Sequence, residues 1–288
     1  MILSMTGFAA ASTELPGISL AAELRSVNHR YLDVTLKLPE ELRTMEPALR
    51  ERIAGAQKRG KVECRLSLAR TSGAAGTIAV NTERIQQLAD AATAVAKALP
   101  GTPPLTTADI LRWPGVMIDA TISQEALVDQ AESLVSQALG ELTDARAREG
   151  AKLRTVLERC CTDIDAQVAR VAPKMPALHQ AFLEKLGARL TEAGVERNDE
   201  RLKQELALFA TKIDVAEELA RLSTHVTEIR RVLAQGGNVG KRLDFLAQEL
   251  HREANTLGSK SVDAELSQVS LELKVLIEQM REQVQNLE

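Results

Sequence analysis

The sequence predicts an α+β protein, in which an N-terminal antiparallel sheet domain with one helix precedes a long-helix region that ends in a coiled-coil-like bundle. Apolar and polar residues alternate in three segments before residue 70. After residue 80, apolar residues recur every three or four positions over most of the chain. Only 2% of the residues are aromatic, which favours elongated and shared helix packing over one thick core.

The N-terminal part contains the predicted strands. Residues 18–24 and 32–38 each alternate, and the short polar segment between them predicts two strands with a tight connection. A helix follows, because Leu42, Met45, Leu49 and Ile53 recur at helical spacing. Residues 62–68 alternate again and predict a further strand.

Helices are predicted for the rest of the chain. A joint rich in small residues covers 71–80, and we expect helices over 82–99, just before Trp113, and over 124–170, 176–194, 197–234, 239–256 and 262–287. The expected breaks fall at Pro173 and Pro176, at Gly194, at Gly236-Gly237 and near Gly258. We therefore divide the chain into an N-terminal α+β domain (1–73), a helical middle region (74–195) and a C-terminal helical domain (196–288).

The last helix has a nearly heptad apolar pattern, formed by Leu266, Val269, Leu273, Leu276, Met280 and Leu287. Two interpretations remain open for this stripe. It packs inside a bundle of one chain, or it forms a seam between subunits.

Composition excludes several classes of protein. No run approaches 18 apolar residues, the first eight residues lack a basic segment followed by an apolar one, and there are three cysteines. We therefore expect a reduced, cytoplasmic chain that has neither a membrane span nor a secretory signal. The motifs GxGxxG, GxxxxGK[ST], CxxC, HExxH and GxSxG are also missing, which disfavours nucleotide-dependent enzymes, zinc proteases and serine hydrolases.

Charge is distributed unevenly along the chain, whose net charge is −4. Residues 1–73 carry 11 basic and 8 acidic side chains, whereas residues 196–288 carry 13 and 17. This asymmetry permits a basic binding surface near the N-terminus and an acidic site near the C-terminus.

Acidic residues cluster on one arc of the predicted helix over 205–228. At 100° per residue, the arc holds Asp214, Glu217, Glu218, Arg221, His225 and Glu228. The carboxylates predict oxygen ligands for a divalent cation, with His225 as a ligand or a proton carrier. The alternative is a solvated helix face with ion pairs between successive turns.

A second acidic pair lies in the next helix, where Glu249 and Glu253 are one turn apart at the edge of an apolar stripe and are flanked by Arg242 and Arg252. Carboxylates beside a buried stripe are costly unless a metal cation or an arginine offsets their desolvation. An arginine–glutamate network that holds the bundle together remains the alternative.

Basic residues cluster at two turns of the N-terminal part and at one turn between helices. Their types suit contacts to phosphates and to an unstacked base, although ordinary solvated turns also fit. The candidate RNA-binding residues are Arg25, Arg30, Tyr31, Arg59, Lys61, Lys241, Arg242 and Arg252.

Several distinctive segments follow one another along the chain. They are Ser4-Met5-Thr6-Gly7-Phe8, the segments 25–32, 59–63, 109–116 and 212–219, and the C-terminal segments 240–245, 248–249, 252–257, 259–261, 271–274 and 279–283. In these motifs the chain resembles the YicC/YloC family of bacterial endoribonucleases over essentially its whole length. His29 stands where a glutamine can occur in this family, so it is a poor candidate for an indispensable base.

The resemblance implies a cytoplasmic, metal-dependent endoribonuclease that cuts single-stranded or structured RNA internally. It also implies a homo-oligomer, which we expect to be a hexamer. A role in small-RNA turnover follows from the same resemblance, with an RNA degradation enzyme as an expected partner. The residue pattern and the resemblance together predict that the N-terminal domain (1–73) serves oligomerisation and RNA binding. They predict a metal and catalytic site in the C-terminal domain (196–288), where Mn²⁺ or Mg²⁺ would be bound by Asp214, Glu217, Glu218, Glu249 and Glu253. Catalysis would use Glu249 and Glu253, with His225 or Lys260 protonating the leaving oxygen.

Two alternatives stay open. Without a metal, the RNA 2′-hydroxyl would attack its own phosphate, with His29 or His225 as the base. Without catalysis, the chain would be an RNA-binding or adaptor scaffold whose acidic helices dock a degradation enzyme.

Overall fold

A computed structural model describes residues 1–70, 79–118, 122–192 and 200–288. The chain forms two compact units, which we call the sheet unit (8–25 and 31–142) and the bundle unit (1–7, 26–30 and 143–288). Each unit draws on more than one stretch of sequence, so both cross the boundaries predicted from composition. The expected joint lies almost wholly outside the described residues, as does the expected break at Gly194.

The sheet unit is built on four strands in the spatial order β1-β2-β4-β3. Their bounds are Gly7–Leu15 for β1, Ile18–Val27 for β2, Leu32–Lys37 for β3 and Gly60–Arg70 for β4. The α+β class and the N-terminal position of the sheet are confirmed. Strand β1, rich in alanine and other small residues, was not predicted.

Two details of the predicted sheet are wrong. Strands β2 and β3 are not neighbours, because β4 lies between them. Strands β3 and β4 run parallel, with Leu32 opposite Gly60, so the sheet is not wholly antiparallel. The reason is the connection: a 3₁₀ turn (Glu40–Met45) and α1 (Glu46–Ala56) join β3 to β4. A crossover of this kind returns the chain in the same direction, as parallel pairing requires.

One face of the sheet forms the core of this unit together with α1 and the first part of α4 (Gln124–Val171). Leu24, Ile53, Val62, Cys64 and Leu142 are all fully buried there. Because Cys64 is buried in this core, the pKa of its thiol is raised to about 11.

The remaining elements of the sheet unit are short or exposed. They comprise β5 (Ala79–Val80), α2 (Thr82–Ala98), α3 (Thr107–Arg112) and β6 (Met117–Ile118), and β5 pairs antiparallel with β6. Helix α2 begins where the Asn81 side chain accepts a hydrogen bond from the Arg84 amide. Helices α2 and α3 confirm the two helices predicted over 82–99 and just before Trp113.

The bundle unit contains the rest of α4 and five more helices. These are α5 (Met175–Glu192), α6 (Glu200–Ile213), α7 (Ala216–Gln235), α8 (Gly240–Lys260) and α9 (Ala264–Val284). Gly236 and Gly237 end α7 with positive φ angles of 68° and 85°, which confirms the break expected there. Gly258, in contrast, lies inside α8, and the chain turns only after Lys260.

The helix predicted over 197–234 is wrong, because Asp214 and Val215 separate α6 from α7. The Asp214 carboxylate accepts a hydrogen bond from the Ala216 amide, and Val215 turns into the core. A new apolar stripe starts at this point and runs through Val215, Leu219, Leu222, Val226, Ile229 and Leu233. The chain therefore breaks where this buried stripe begins.

Helices α7, α8 and α9 pack around one core with the later part of α4. Leu266, Val269, Leu273, Met280 and Leu287 are all buried, so the heptad stripe packs within the chain. The proposed seam between subunits is not tested by a single chain. None of the helices within the described ranges is both long and apolar enough to cross a membrane.

A buried arginine joins segments from opposite ends of the sequence in the bundle unit. Arg146, on α4, is 1% exposed, and its Nε donates to the Ser4 carbonyl at 2.5 Å. Its guanidinium also forms an ion pair with the Glu288 side chain. Ser4 and Leu287 add an antiparallel bridge, so the two segments lie side by side.

Candidate functional site

Four of the predicted acidic residues, Asp214, Glu217, Glu218 and Glu253, lie near where the start of α7 meets the end of α8. The Gly236-Gly237 turn folds these two helices back on each other, and they pack closely along their length. The sequence-distant pairs Glu218–Lys260 and Arg221–Glu253 consequently come into contact. We call Glu218, Arg221, Glu253 and Lys260 the acidic cluster.

Glu218 is 6% exposed and is held by Lys260. The Lys260 Nζ lies 2.7 Å from Glu218 Oε1 and donates to the Asp214 carbonyl at 2.9 Å. Lys260 thereby ties the end of α8 to the break between α6 and α7. The other oxygen, Glu218 Oε2, is buried and accepts no hydrogen bond from the described part of the chain. A carboxylate oxygen in this state is costly, and a bound cation or donor would stabilise it.

Glu253 is 4% exposed and faces Arg221, whose NH1 lies 3.4 Å from Glu253 Oε1. The same guanidinium bonds Glu217 one turn earlier on α7. These contacts raise the pKa of Arg221, chiefly through its hydrogen bonds to the two carboxylates. The arginine–glutamate network that the sequence left open is therefore present at this position.

Glu249 is held less tightly than Glu253. Its side chain is 28% exposed, and the nearest charged atom of Arg252 lies 4.0 Å away. Further along α7, Glu228 accepts hydrogen bonds from Arg231 and Arg242. The hydrogen bonds from Arg231 are the main reason that the pKa of Glu228 falls to about 2.

The five predicted metal ligands do not converge as a set within one chain. Over the residues that the structure describes, no three side chains among His, Cys, Asp and Glu form a group that could hold a metal ion. Asp214 caps α7, and Glu217 turns to Arg221. Mg²⁺ is often held by one or two carboxylates together with substrate phosphates. Glu249 and the free oxygen of Glu218 each have the donor chemistry for such a contact, but at separate positions, because Glu218 lies beside Lys260 and Glu249 lies about three turns earlier on α8.

The candidate proton donors have different surroundings. Lys260 is engaged with Glu218 and with the Asp214 carbonyl. His225 lies half-buried on α7, one turn from both Arg221 and Glu228. His251 sits on the polar side of α8, where its Nδ1 lies 3.1 Å from the Asn255 amide nitrogen.

The predicted RNA-binding residues fall in both units. Arg25, Tyr31, Arg59 and Lys61 belong to the sheet unit, whereas Arg30, Lys241, Arg242 and Arg252 belong to the bundle unit. Lys61 lies 4.0 Å from Asp33 across the β3–β4 pair. In the bundle unit, the Arg242 guanidinium lies over the Phe245 ring, 5.9 Å from its centre.

Two further basic residues were missed by the turn-based sequence argument. Lys37 and Arg65 are opposite each other on β3 and β4, and Lys37 is paired with Glu63 at 2.7 Å. The pKa of Glu63 is lowered mainly by its hydrogen bond from Lys37, and also by the charges of Arg25 and Arg65. Residues 61, 63 and 65 are charged and alternate with apolar residues along β4, so the sequence did contain the signal that these side chains share one face of the strand.

The fold and these residues define an α+β protein whose helical bundle carries paired acids and whose sheet carries exposed cations. Comparison with known proteins places it more closely. The family model for the YicC-like endoribonuclease N-terminal region matches residues 2–155, and the model for the C-terminal region matches residues 171–288. The chain belongs to the YicC-like endoribonuclease family.

Two relatives match this chain over its full length and over their own. A protein from Haemophilus influenzae named probable endoribonuclease YicC is 39% identical over 288 residues. A protein of the same name from Clostridioides difficile is 26% identical over 293 aligned positions. These matches confirm the family that the sequence motifs indicated.

Proposed function

We propose that this protein is an endoribonuclease that cleaves RNA internally. Membership of the YicC-like endoribonuclease family across both halves of the chain carries this proposal. The full-length relatives, both named probable endoribonucleases, support the same activity. We further propose that small or structured RNAs are the substrates.

Basic side chains bind the RNA backbone in this proposal. Phosphate contacts made by lysine and arginine position the substrate without reading its sequence. The residues proposed for these contacts are Arg25, Arg30, Arg59, Lys61, Lys241, Arg242 and Arg252, and Tyr31 is proposed to contact an unstacked base.

Glu249 and Glu253 are the proposed catalytic carboxylates. Glu249 is partly exposed and loosely paired, so it can accept a proton from an attacking water. Glu253 is buried against Arg221, which fixes its position. His225 is the better candidate for protonating the leaving oxygen, because Lys260 would first have to release Glu218 and the Asp214 carbonyl.

Dependence on Mn²⁺ or Mg²⁺ is part of the proposal. A bound divalent cation would lower the pKa of a water and neutralise charge on the phosphate. Asp214, Glu217, Glu218, Glu249 and Glu253 are the proposed ligands, of which Glu218, with its free carboxylate oxygen, and the loosely paired Glu249 would each offer an oxygen to an ion at its own position. RNA phosphate oxygens would complete the coordination.

The decisive experiment incubates purified protein with a labelled, structured small RNA, in Mn²⁺ or Mg²⁺ and in EDTA. Glu249→Gln and Glu253→Gln are each expected to lower cleavage by at least about 100-fold while RNA still binds. Glu278→Gln is the matched control, because Glu278 is an exposed acid on α9 paired with Arg281. Full activity of both active-site variants would refute their role.

The same assay separates the alternatives. Cleavage that survives EDTA and leaves 2′,3′-cyclic phosphate ends would favour attack by the RNA 2′-hydroxyl, with His29 or His225 as the base. RNA binding without any cleavage by rigorously purified protein would favour the scaffold, whose acidic helices dock an RNA degradation enzyme.

Assembly and cellular setting complete the proposal. We propose a cytoplasmic homohexamer that acts in small-RNA turnover. Mass photometry of the purified protein tests the assembly, and a mass of one or two chains would contradict it.

A further inference from the structure

The four-stranded sheet has one covered face and one open face. Alternate residues of each strand point to opposite faces. Ala9, Leu24, Val62 and Cys64 point into the core with α1 and α4. Their neighbours on the strands point outward, and those that matter here are Phe8, Arg25, Lys37, Lys61 and Arg65. We call this side of the sheet the open face.

Phe8 is an unusual residue on the open face. Its side chain is 59% exposed, on a strand whose other outward positions include Ala10 and Ser12. These small neighbours leave the side of the ring uncovered. The ring does not contribute to the core of the sheet unit, so packing gives no reason for an aromatic residue there.

An arginine lies beside this ring. A two-residue turn, Pro16-Gly17, joins β1 to β2, and Gly17 has a φ of 78°. The start of β1 and the end of β2 therefore lie together, which brings Phe8 next to Arg25. An exposed ring and a guanidinium form a surface on which a flat base can stack.

Cations continue from Arg25 across the sheet. Strands β2 and β4 are the two central strands, so Arg25 and Arg65 occupy the middle of the open face. Both lie close enough to Glu63 to lower its pKa, after the stronger effect of Lys37. Lys61 is paired with Asp33, and the remaining acids on this side are Glu14 of β1 and Glu23 of β2.

The ion pairs on the open face are exposed and weakly stabilising. The Lys37 and Glu63 side chains, for example, are 56% and 40% exposed. A phosphate can therefore compete for these cations at little cost. Arginine in particular presents a fork of donors that matches phosphate oxygens.

We infer that the open face of the sheet binds an unpaired stretch of RNA, with one base stacked on Phe8 and the adjoining phosphates held by Arg25, Arg65 and Lys37. The inference rests on the proposed function, because it names the surface that receives the substrate. Stacking selects unpaired nucleotides, since a duplex keeps its bases inside. Every base has a face that can stack, so this contact is tolerant of sequence.

The test uses the full chain and fluorescence anisotropy with a labelled single-stranded oligouridine and a duplex of the same length. Phe8→Ala is expected to weaken single-strand binding about 10-fold while leaving its salt dependence unchanged. Arg65→Gln is expected to lower the slope of log affinity against log salt by about one. Phe209→Ala is the matched control, because Phe209 is an exposed phenylalanine beside Lys212 on α6.

Binding by Phe8→Ala within twofold of the unchanged protein would overturn the inference. The inference also fails if Phe8→Ala alters only the mass of the assembly, since the open face would then join copies of the chain. Should this variant fail to fold, photo-cross-linking of the unchanged protein to a thiouridine oligonucleotide replaces it as the test. Cross-links on β1, β2 or β4 support the inference, and their confinement to other elements overturns it.

Cleavage of the structured RNA by the unchanged protein is measured in parallel. If the protein cleaves RNA and Phe8→Ala binds normally, the inference fails while the proposed function stands. If the protein binds through the open face and never cleaves, the proposed function fails while the inference stands.

Discussion

Replacing Arg146 with methionine tests the buried ion pair of the bundle unit. Arg146 is 1% exposed and the Glu288 side chain 12% exposed, so little water reaches the pair. The substitution leaves the Glu288 charge and the Ser4 carbonyl without this donor. Removing one partner of a buried pair costs about 3–5 kcal/mol, and we expect a loss of this size in the free energy of unfolding.

Urea denaturation followed by circular dichroism measures this loss. Arg159→Met is the matched control on the same helix, because Arg159 is 84% exposed and its ion pair with Asp163 spans 3.9 Å. That control is expected to change stability by less than about 0.5 kcal/mol.

A double variant separates the charge effect from the loss of packing. Arg146→Met combined with Glu288→Leu replaces the pair by apolar groups, which is often neutral or stabilising. We therefore expect the double variant to recover much of the loss. The reasoning would be refuted if the single variant lost less than about 1 kcal/mol of unfolding free energy, or if the double variant were less stable than the single variant.

Two further predictions concern stability. Gly150→Ala is expected to lower the free energy of unfolding by about 1–3 kcal/mol, because its new Cβ would lie 2.3 Å from the Ile2 carbonyl oxygen. Gly140→Ala is the control, because a Cβ there meets nothing within 4 Å, and urea denaturation should show it to be neutral or stabilising. The depressed pKa of Glu228, held chiefly by Arg231, stabilises the folded state above the ordinary glutamate pKa of 4.5, and this contribution is lost as the pH falls towards about 2. Melting temperatures of the unchanged protein and Glu228→Gln should therefore differ at pH 7 and converge near pH 2, and a constant difference would contradict this assignment.

The periodicity of the sequence was sufficient to predict most elements of the fold. Proline and glycine punctuation located the ends of α4 and α7 well. Strand β1 was not predicted, because its alanine-rich sequence has few of the branched and aromatic residues typical of strands. The parallel pairing of β3 with β4 depends on where the crossover helix packs, which local sequence does not specify.

The break between α6 and α7 was missed for a related reason. Lys212-Ile213-Asp214-Val215-Ala216 contains neither proline nor glycine, so local propensity allows a continuous helix. The burial of Val215 overrides that propensity. A shift in the apolar register at Val215, Leu219 and Leu222 was the signal available in the sequence.

The candidate site could be predicted only in part. Helical spacing correctly brought acids towards one edge of α7 and α8, but it could not pair Glu218 with Lys260 or Arg221 with Glu253. Those partners are far apart in sequence and meet only through the turn between the helices. The cations of the open face could likewise be predicted only in part, because Lys37 and Arg65 lie on strands and come together only through the pairing of β3 with β4.

The side-by-side pairing of Ser4 with Leu287 has a consequence for how the chain folds. Helices α7 and α8 are joined by a short turn and can associate within microseconds to milliseconds, as local contacts do. The Arg146 guanidinium, in contrast, meets its carboxylate only after residue 288 has left the ribosome. Closure of the bundle unit therefore follows the pairing of α7 with α8, because it requires contacts between residues that are far apart in the sequence.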